Sequence, residues 1–206
     1  MRLNLVQFQG LGKIDPLSQK LGDDSVIVAR DFSQEELKKF SSEAGSLKAR
    51  FIPCKLLSKR DNSEAQKAKK SGALIAIDGD SLENCSFAAG QKLDLLLNPF
   101  TSEKNFLDVQ SGHVLCQNGT FIGIVFSDFL RSEGFARSQL LKNAAMSVKV
   151  AKRSGAKLLF FSGARSEDEM RASKDLSSFG ALLGMKTEDA IKAIKENSKA
   201  FMERVK

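Results

Sequence analysis

The sequence predicts an α/β fold, a closed or nearly closed (β/α) barrel of about seven parallel strands that fills residues 1–206 as a single domain. Three observations lead there. Short apolar runs rich in β-branched residues alternate with amphipathic helical stretches. The runs recur mostly every 20 to 30 residues, the length of a βα unit, and no Pro/Gly-rich linker interrupts them. Periodicity does not report closure, so an open doubly wound sheet is the alternative.

In chain order, the first strand candidate is Leu3–Phe8, where Leu3, Leu5 and Phe8 alternate with polar residues. It lacks the long apolar run of a signal peptide or a membrane span. Ser25–Ala29, Ala49–Cys54, Ala73–Ile77, Leu93–Leu97, Thr120–Phe126 and Lys157–Phe161 follow. Several of these are continuously hydrophobic, as strands buried on both faces must be. Helix starts between them carry the capping-box pattern, in which a side-chain oxygen and a carboxylate or amide satisfy unpaired N–H groups. Ser33 with Glu36, Ser63 with Gln66 and Ser166 with Glu169 fit it. Gly45, Gly72, Gly155 and Gly184 follow helical stretches, where a left-handed cap is expected. Hydrophobic residues make up 42% of the chain, enough for a sizeable core. With 15 Phe and neither Trp nor Tyr, any aromatic stacking on a base falls to Phe. Cys54, Cys85 and Cys116 are odd in number and form no CxxC pair, which points to buried free thiols in a reducing cytoplasm and to no zinc site.

The net charge of +7 is localised. Residues 1–129 hold 16 Lys/Arg and 16 Asp/Glu, whereas residues 130–206 hold 16 against 9. A local excess of this sign attracts polyanions. Residues 136–154 form the clearest helix: Leu140, Leu141, Ala144, Val148 and Ala151 share one face, and Lys142, Lys149 and Arg153 share the opposite one. A charged outer face is usual for a barrel helix. The sign is what stands out, because Arg131 to Lys157 spans seven basic residues and the single acidic Glu133.

Catalytic groups of a parallel barrel come from the C-terminal ends of its strands. Asp31, Asp78 and Asp128 fall just after strand candidates and Asn98 follows another, so three carboxylates converging on one mouth are a candidate oxygen site for a divalent metal. Their other reading is as caps of the following loops. Hydrolases that activate a metal-bound water usually anchor the metal with several imidazoles, and this chain has one histidine, His113, without a neighbour at ligand spacing. Asp78-Gly79-Asp80 matches a calcium loop only at its start. No phosphate-binding loop, dinucleotide fingerprint or nucleophile elbow is present. The composition therefore expects no catalytic residue and no metal ligand.

The segment after the basic helix reads KLLFFSGARSEDEMRASKDLSSFGALLGMKTEDAIKAI. Its Ser162-Gly163-Ala164 turn, Arg171, Asp175-Leu176, Leu182-Leu183-Gly184-Met185 turn and Asp189-Ala190 helix start resemble, in that order, the C-terminal hallmark of ribonuclease P protein component 3. That family is the archaeal counterpart of the eukaryotic thirty-kilodalton subunit. The preceding unit is similar too, from Phe121–Phe126 through Arg137 and Leu140-Leu141 to Asn143, as is the strand end Leu93 to Pro99. The resemblance spans roughly residues 90–195, and residues 1–70 match in pattern only. Ser173 stands where the family usually has Pro, which implies a less rigid loop after Arg171. Asn98 stands where His is common.

The resemblance implies a TIM-barrel-like fold related to metal-dependent hydrolases whose catalytic histidines are lost. It implies a non-catalytic subunit of ribonuclease P, which removes the 5′ leader of precursor tRNA, and the alternative is a stand-alone metal-dependent hydrolase of the related superfamily. The implied partners are the ribonuclease P RNA, ribonuclease P protein component 2, the other protein subunits and precursor tRNA as holoenzyme substrate. No membrane is implied and no cofactor is bound by this chain, while the holoenzyme uses magnesium. Candidate RNA-contacting residues are Arg131, Arg137, Lys142, Lys149, Arg153, Arg165, Arg171 and Lys174. For Arg171, reaching out to phosphate and folding back onto turn carbonyls are both open, since its five donors suit either.

Overall fold

The computed structural model describes residues 1–8 and 10–205. Seven parallel strands, β1 (Leu3–Val6), β2 (Ser25–Arg30), β3 (Arg50–Leu57), β4 (Leu74–Asp78), β5 (Leu95–Leu97), β6 (Phe121–Val125) and β7 (Leu158–Phe161), form one sheet in sequential order. Helices α1 (Leu11–Leu21), α2 (Gln34–Ala44), α3 (Asn62–Lys70), α4 (Leu82–Gly90), α5 (Val109–Asn118), α6 (Ser127–Arg131) and α7 (Gly134–Ser154) lie between them. After β7 a 3₁₀ turn (Glu167–Glu169) leads to α8 (Ser173–Leu182), then α9 (Thr187–Lys192) runs through a π-helical turn (Ala193–Asn197) into α10 (Ser198–Arg204). Among the described residues no helix is long and apolar enough to cross a membrane.

Strand side chains alternate between two cores. Leu5, Ile27, Cys54, Ala76, Leu97, Val125 and Phe161 point into the barrel, and Phe201 and Met202 of α10 join this inner cluster. Val26, Val28, Ile75, Ile77, Leu96, Ile122 and Phe160 point outward and bury the helix layer. The period-2 pattern thus packs both faces, which is why the strands read as unbroken apolar runs. At Gly123 a Cβ would stand 2.6 Å from Leu97 Cδ2, so the interior has room for Leu97 and Phe161 only because β6 has no side chain there.

The sheet closes without a full ladder. Between β1 and β7 the backbone contributes Gly163 N–H to Leu5 O (2.9 Å) and Gln7 N–H to Ala164 O (2.7 Å). The rest of the seam is bridged by Asn4, which is fully buried. Its Oδ1 accepts from Leu5 N, Ser162 N and Ser162 Oγ at 2.8–2.9 Å, and its Nδ2 donates to Asp23 Oδ2 at 3.1 Å and, more weakly, to Arg171 O at 3.4 Å. A carboxamide replaces the missing ladder because it offers both donors and acceptors at one buried point. The barrel is nearly closed, and the open-sheet alternative is set aside.

Several local expectations are corrected. The Ser33–Glu36 capping box is present. The next helix is capped by Asp61, which accepts from Glu64 N, and Ser63 lies inside it. Ser166 makes no side-chain cap, and only a 3₁₀ turn follows it, so Arg171 stands in the loop before α8 and not within a helix. Gly72, Gly155 and Gly184 have positive φ, but Gly45 is right-handed at −66°. Cys54 and Cys85 are buried free thiols, whereas Cys116, near the end of α5, is exposed.

Candidate functional site

At the C-terminal mouth of the barrel, Asp78 ends β4, Asn98 follows β5, Asp128 lies in α6 and Arg165 follows β7. Asn98 holds a left-handed backbone (φ 38°), a conformation Asn tolerates. Its Oδ1 accepts from Val125 N at 2.8 Å and its Nδ2 donates to Asp128 Oδ2 at 2.6 Å, so the position that resembles a family histidine fixes a carboxylate instead. Asp78 opens to solvent yet is walled in by protein; that crowding, with Asp128 and Asp80 nearby and against the pull of Arg165, pushes its carboxyl up to about 6. Crowding also raises Asp128, opposed by Arg165, Asn98 and Arg131.

The candidate trio of aspartates does not assemble. Asp31 pairs with the ammonium of Lys55, which also meets Glu64 Oε1 at 2.7 Å and Phe32 O at 2.9 Å. Lys55 lies on the outward face of β3, opposite to Cys54, and is buried. Burial disfavours its charge, but the two carboxylates outweigh it and raise its affinity for the proton. Among the described residues no three His, Cys, Asp or Glu side chains gather as a metal set. His113 sits exposed on α5.

The arginines around the mouth are engaged. Arg131 grips both carboxylate oxygens of Glu169, and its Nη1 lies 3.5 Å from Asp128 Oδ1. Burial works against ionised Glu169, but the Arg165 N–H (2.7 Å) and the Arg131 guanidinium prevail and hold its carboxyl below the ordinary range. Arg165 donates to Gln7 Oε1 at 3.0 Å and reaches to 3.9 Å from Asp128. Arg137 donates to the carbonyls of Ser132 and Leu130 at the end of α6. Arg171 folds back: its Nη1 donates to Asp168 O (2.6 Å) and Met170 O (2.8 Å), its N–H to Ser162 Oγ (3.1 Å), and its guanidinium lies 5.9 Å from the Phe126 ring centroid. The guanidinium thus braces the end of the 3₁₀ turn, and only the Arg171 backbone N–H meets the Ser162-Gly163-Ala164 turn, which requires glycine because Gly163 has φ 60° and a Cβ there would stand 1.9 Å from Val125 Cγ1.

The long helix α7 presents the opposite situation. Its 21 residues include no carboxylate. Leu140, Asn143, Ala144, Ser147, Val148 and Ala151 are buried against the barrel, and Lys142, Lys149 and Arg153 are exposed on the other side. Among the described residues these three make no ion pair, while Lys152 is tied to Asp189 of α9. Phe135 and Met146, both exposed, share the same stripe. Lys174 is exposed in the first turn of α8. The sequence reading thus grouped residues that the fold separates into partnered arginines at the mouth and unpartnered cations on helix surfaces. It missed Asn4, whose signal was a lone carboxamide within the apolar run Leu3–Val6. It also missed Glu169 as the carboxylate that collects Arg131 and Arg165.

A protein-family model described as RNase P subunit p30 matches residues 53–205. The chain is 24% identical over 140 residues to Ribonuclease P protein component 3 of Thermococcus gammatolerans, covering 68% of this chain and 65% of that protein. It is 24% identical over 121 residues to the protein of the same name from Methanosarcina acetivorans, covering 59% and 51%. The chain therefore spans about half to two thirds of the length of these relatives. Among solved structures, a chain in the cryo-EM structure of archaeal Ribonuclease P with mature tRNA superposes with a TM-score of 0.81 at 18% identity, covering 99% of this chain and 91% of that one. A prolidase complexed with n-methylphosphonate-l-proline superposes at 0.63 with 11% identity, covering 99% and 74%. At these identities the two structures show the barrel fold.

Proposed function

The chain belongs to the RNase P subunit p30 family, and on that premise we propose that it is a protein subunit of ribonuclease P. In this reading it assists a catalytic RNA in removing the 5′ leader of precursor tRNA and cleaves no bond itself. The observation that carries the physical side of the proposal is the acid-free α7, with Lys142, Lys149 and Arg153 exposed along one face and without an ion pair among the described residues. Each such cation that meets a phosphate releases condensed counterions, so compact RNA folding costs less in its presence. Recognition is by backbone and shape, because the deep groove of an RNA helix hides its base edges. The partners are the ribonuclease P RNA, protein component 2 and the other subunits, in the cytoplasm, with precursor tRNA as the substrate of the whole assembly. In this reading the whole assembly uses magnesium and this chain binds no cofactor. The mouth supports this division of labour, since Asp31 is committed to Lys55 and Asp128 to Asn98 and two arginines.

The test is reconstitution. With magnesium alone the purified chain leaves precursor tRNA intact, and cleavage appears only when the cognate RNA and the other subunits are added. Robust RNA-free cleavage that disappears in Asp78→Ala would overturn the proposal in favour of a metal-dependent hydrolase.

A further inference from the structure

A cleft of about 310 Å³ opens where the residue before β1, the end of α1, the start of α8 and the α9–α10 turn meet. Its apolar floor is Leu21, Ile191 and Ile194. Ile194 is anchored in the core, whereas Ile191 stands 41% exposed. Arg2, Lys174 and Lys195 line the cleft, and no carboxylate does. Among the described residues none of these three side chains makes an ion pair. The carboxylates beside Arg2 in the sequence of the seam are already used: Asp23 accepts from Asn4 and Asp24 from the Arg2 backbone N–H at 2.7 Å.

An apolar floor edged by three cations, with Lys174 and Lys195 lacking a side-chain partner among the described residues and Arg2 touching Gly22 O at 3.4 Å, fits a ligand that places negative charge next to a weakly polar face. Stacked RNA does not offer this combination, because its bases are covered and only phosphates face outward. A nucleotide out of the stack offers both. The volume lies at the small end of ligand cavities, roughly 300–1,000 Å³, which suits a single nucleotide and not a longer segment. We propose that the cleft takes one unstacked nucleotide of the RNA, its base against Ile191 and Ile194 and its flanking phosphates between Arg2, Lys174 and Lys195. This rests on the RNA-subunit reading above and adds a second mode to it: α7 meets helical RNA through charge, and the cleft captures a single-stranded position. Charge complementarity alone would also admit an acidic protein segment, but a flat base fills the shallow aliphatic floor with no further pocket needed.

The experiment uses the full chain, a labelled unstructured oligouridylate and a duplex of equal phosphate number. Ile191→Ser, an exposed position whose change leaves the melting temperature in place, reduces single-strand affinity severalfold and leaves duplex affinity unaltered. Adding Lys174→Ala and Lys195→Ala brings the single-strand loss to about tenfold or more, because two phosphate contacts go with the apolar one. Unaltered single-strand binding by the triple variant overturns the proposal, as does an equal loss for single strand and duplex, which would make the cleft a plain cationic surface. Unaltered RNA binding with failed assembly into the protein complex overturns it in favour of a protein-docking surface. Cleavage by the reconstituted wild-type assembly reports separately on the subunit reading. An active assembly with an inert cleft sinks the cleft alone, and an inactive wild-type assembly sinks the premise.

Discussion

The mouth of the barrel and the outer face of α7 are both rich in cations, yet the fold holds them differently. At the mouth, Arg131, Arg165, Arg137 and Arg171 end on carboxylates, an amide or carbonyls of their own chain. On α7, Lys142, Lys149 and Arg153 end in water. The difference teaches that a basic residue is a candidate phosphate contact only when the fold leaves its charge unspent. A guanidinium already held by a carboxylate carries little net field and would have to break that pair before releasing a counterion from RNA. Arg131 is thus neutralised by Glu169, Arg137 and Arg171 keep their charge because carbonyls hold them, and the α7 cations are left without a carboxylate among the described residues.

The sharpest way to break this division is to remove each set and read both properties. Replacing Lys142, Lys149 and Arg153 together by Ala lowers affinity for the ribonuclease P RNA by roughly tenfold or more and reduces the salt slope by about 0.9 per lost contact. The melting temperature stays put, since exposed substitutions away from special features fall within about 0.5 kcal/mol. Arg171→Ala does the reverse, lowering the melting temperature while the salt slope holds. If the α7 variant keeps the wild-type slope, its face is only a solvated helix surface. If Arg171→Ala flattens the slope without touching stability, the folded-back guanidinium swings out to phosphate in the complex.

The next largest effect concerns the scaffold behind the mouth. Asn4→Ala leaves the Leu5 and Ser162 N–H groups and the Ser162 hydroxyl without their shared acceptor inside the seam. Each buried unsatisfied group costs about 1–3 kcal/mol, so a loss of roughly 3 kcal/mol or more is expected in denaturant unfolding. A loss below about 1 kcal/mol would show that the two backbone bonds at Leu5 and Ala164 close the barrel by themselves.

How much of this was legible depends on whether the signal was local. All seven strands were readable, because burial on both faces writes an apolar run into each. Their ends were less so. The third strand reads as stopping at Cys54, since Lys55 looks like the return to solvent, yet the ladder continues from Lys55↔Ile75 to Leu57↔Ile77. Lys55 is buried only because Asp31, beyond the end of β2, and Glu64, in the helix that follows, neutralise it. The same long-range pairing removed Asp31 from the mouth and made Glu169 an arginine clamp in place of a helix cap. The α7 cations were legible because a helix places them on one face by a local period. The mouth arginines looked the same in sequence, and only tertiary partners distinguish them.

The smallest effect sharpens the structural side of the comparison through pH. Asp23 is buried next to the seam, and burial pushes its carboxyl up to about 6, opposed by the Asn4 hydrogen bond and by Arg2 and reinforced by Asp24. Its ordinary value is 3.8, so between about pH 4 and pH 6 the folded chain holds a proton that the unfolded chain has released. Stability contributed by this group is therefore lost as pH rises through that window and stays lost above it. Asn at this position cannot ionise and can still accept from the Asn4 amide. Asp23→Asn should then be more stable than wild type at pH 7.5, by on the order of 3 kcal/mol, and the advantage should shrink toward nothing below pH 4. Asp78, also near 6, titrates in the same direction, so the informative quantity is the difference between the two proteins at each pH and not either profile alone. An advantage that persists at pH 4 would mean that the substitution improves packing or relieves a clash, and a variant less stable than wild type at pH 7.5 would mean that charged Asp23 holds Arg2 and the seam together.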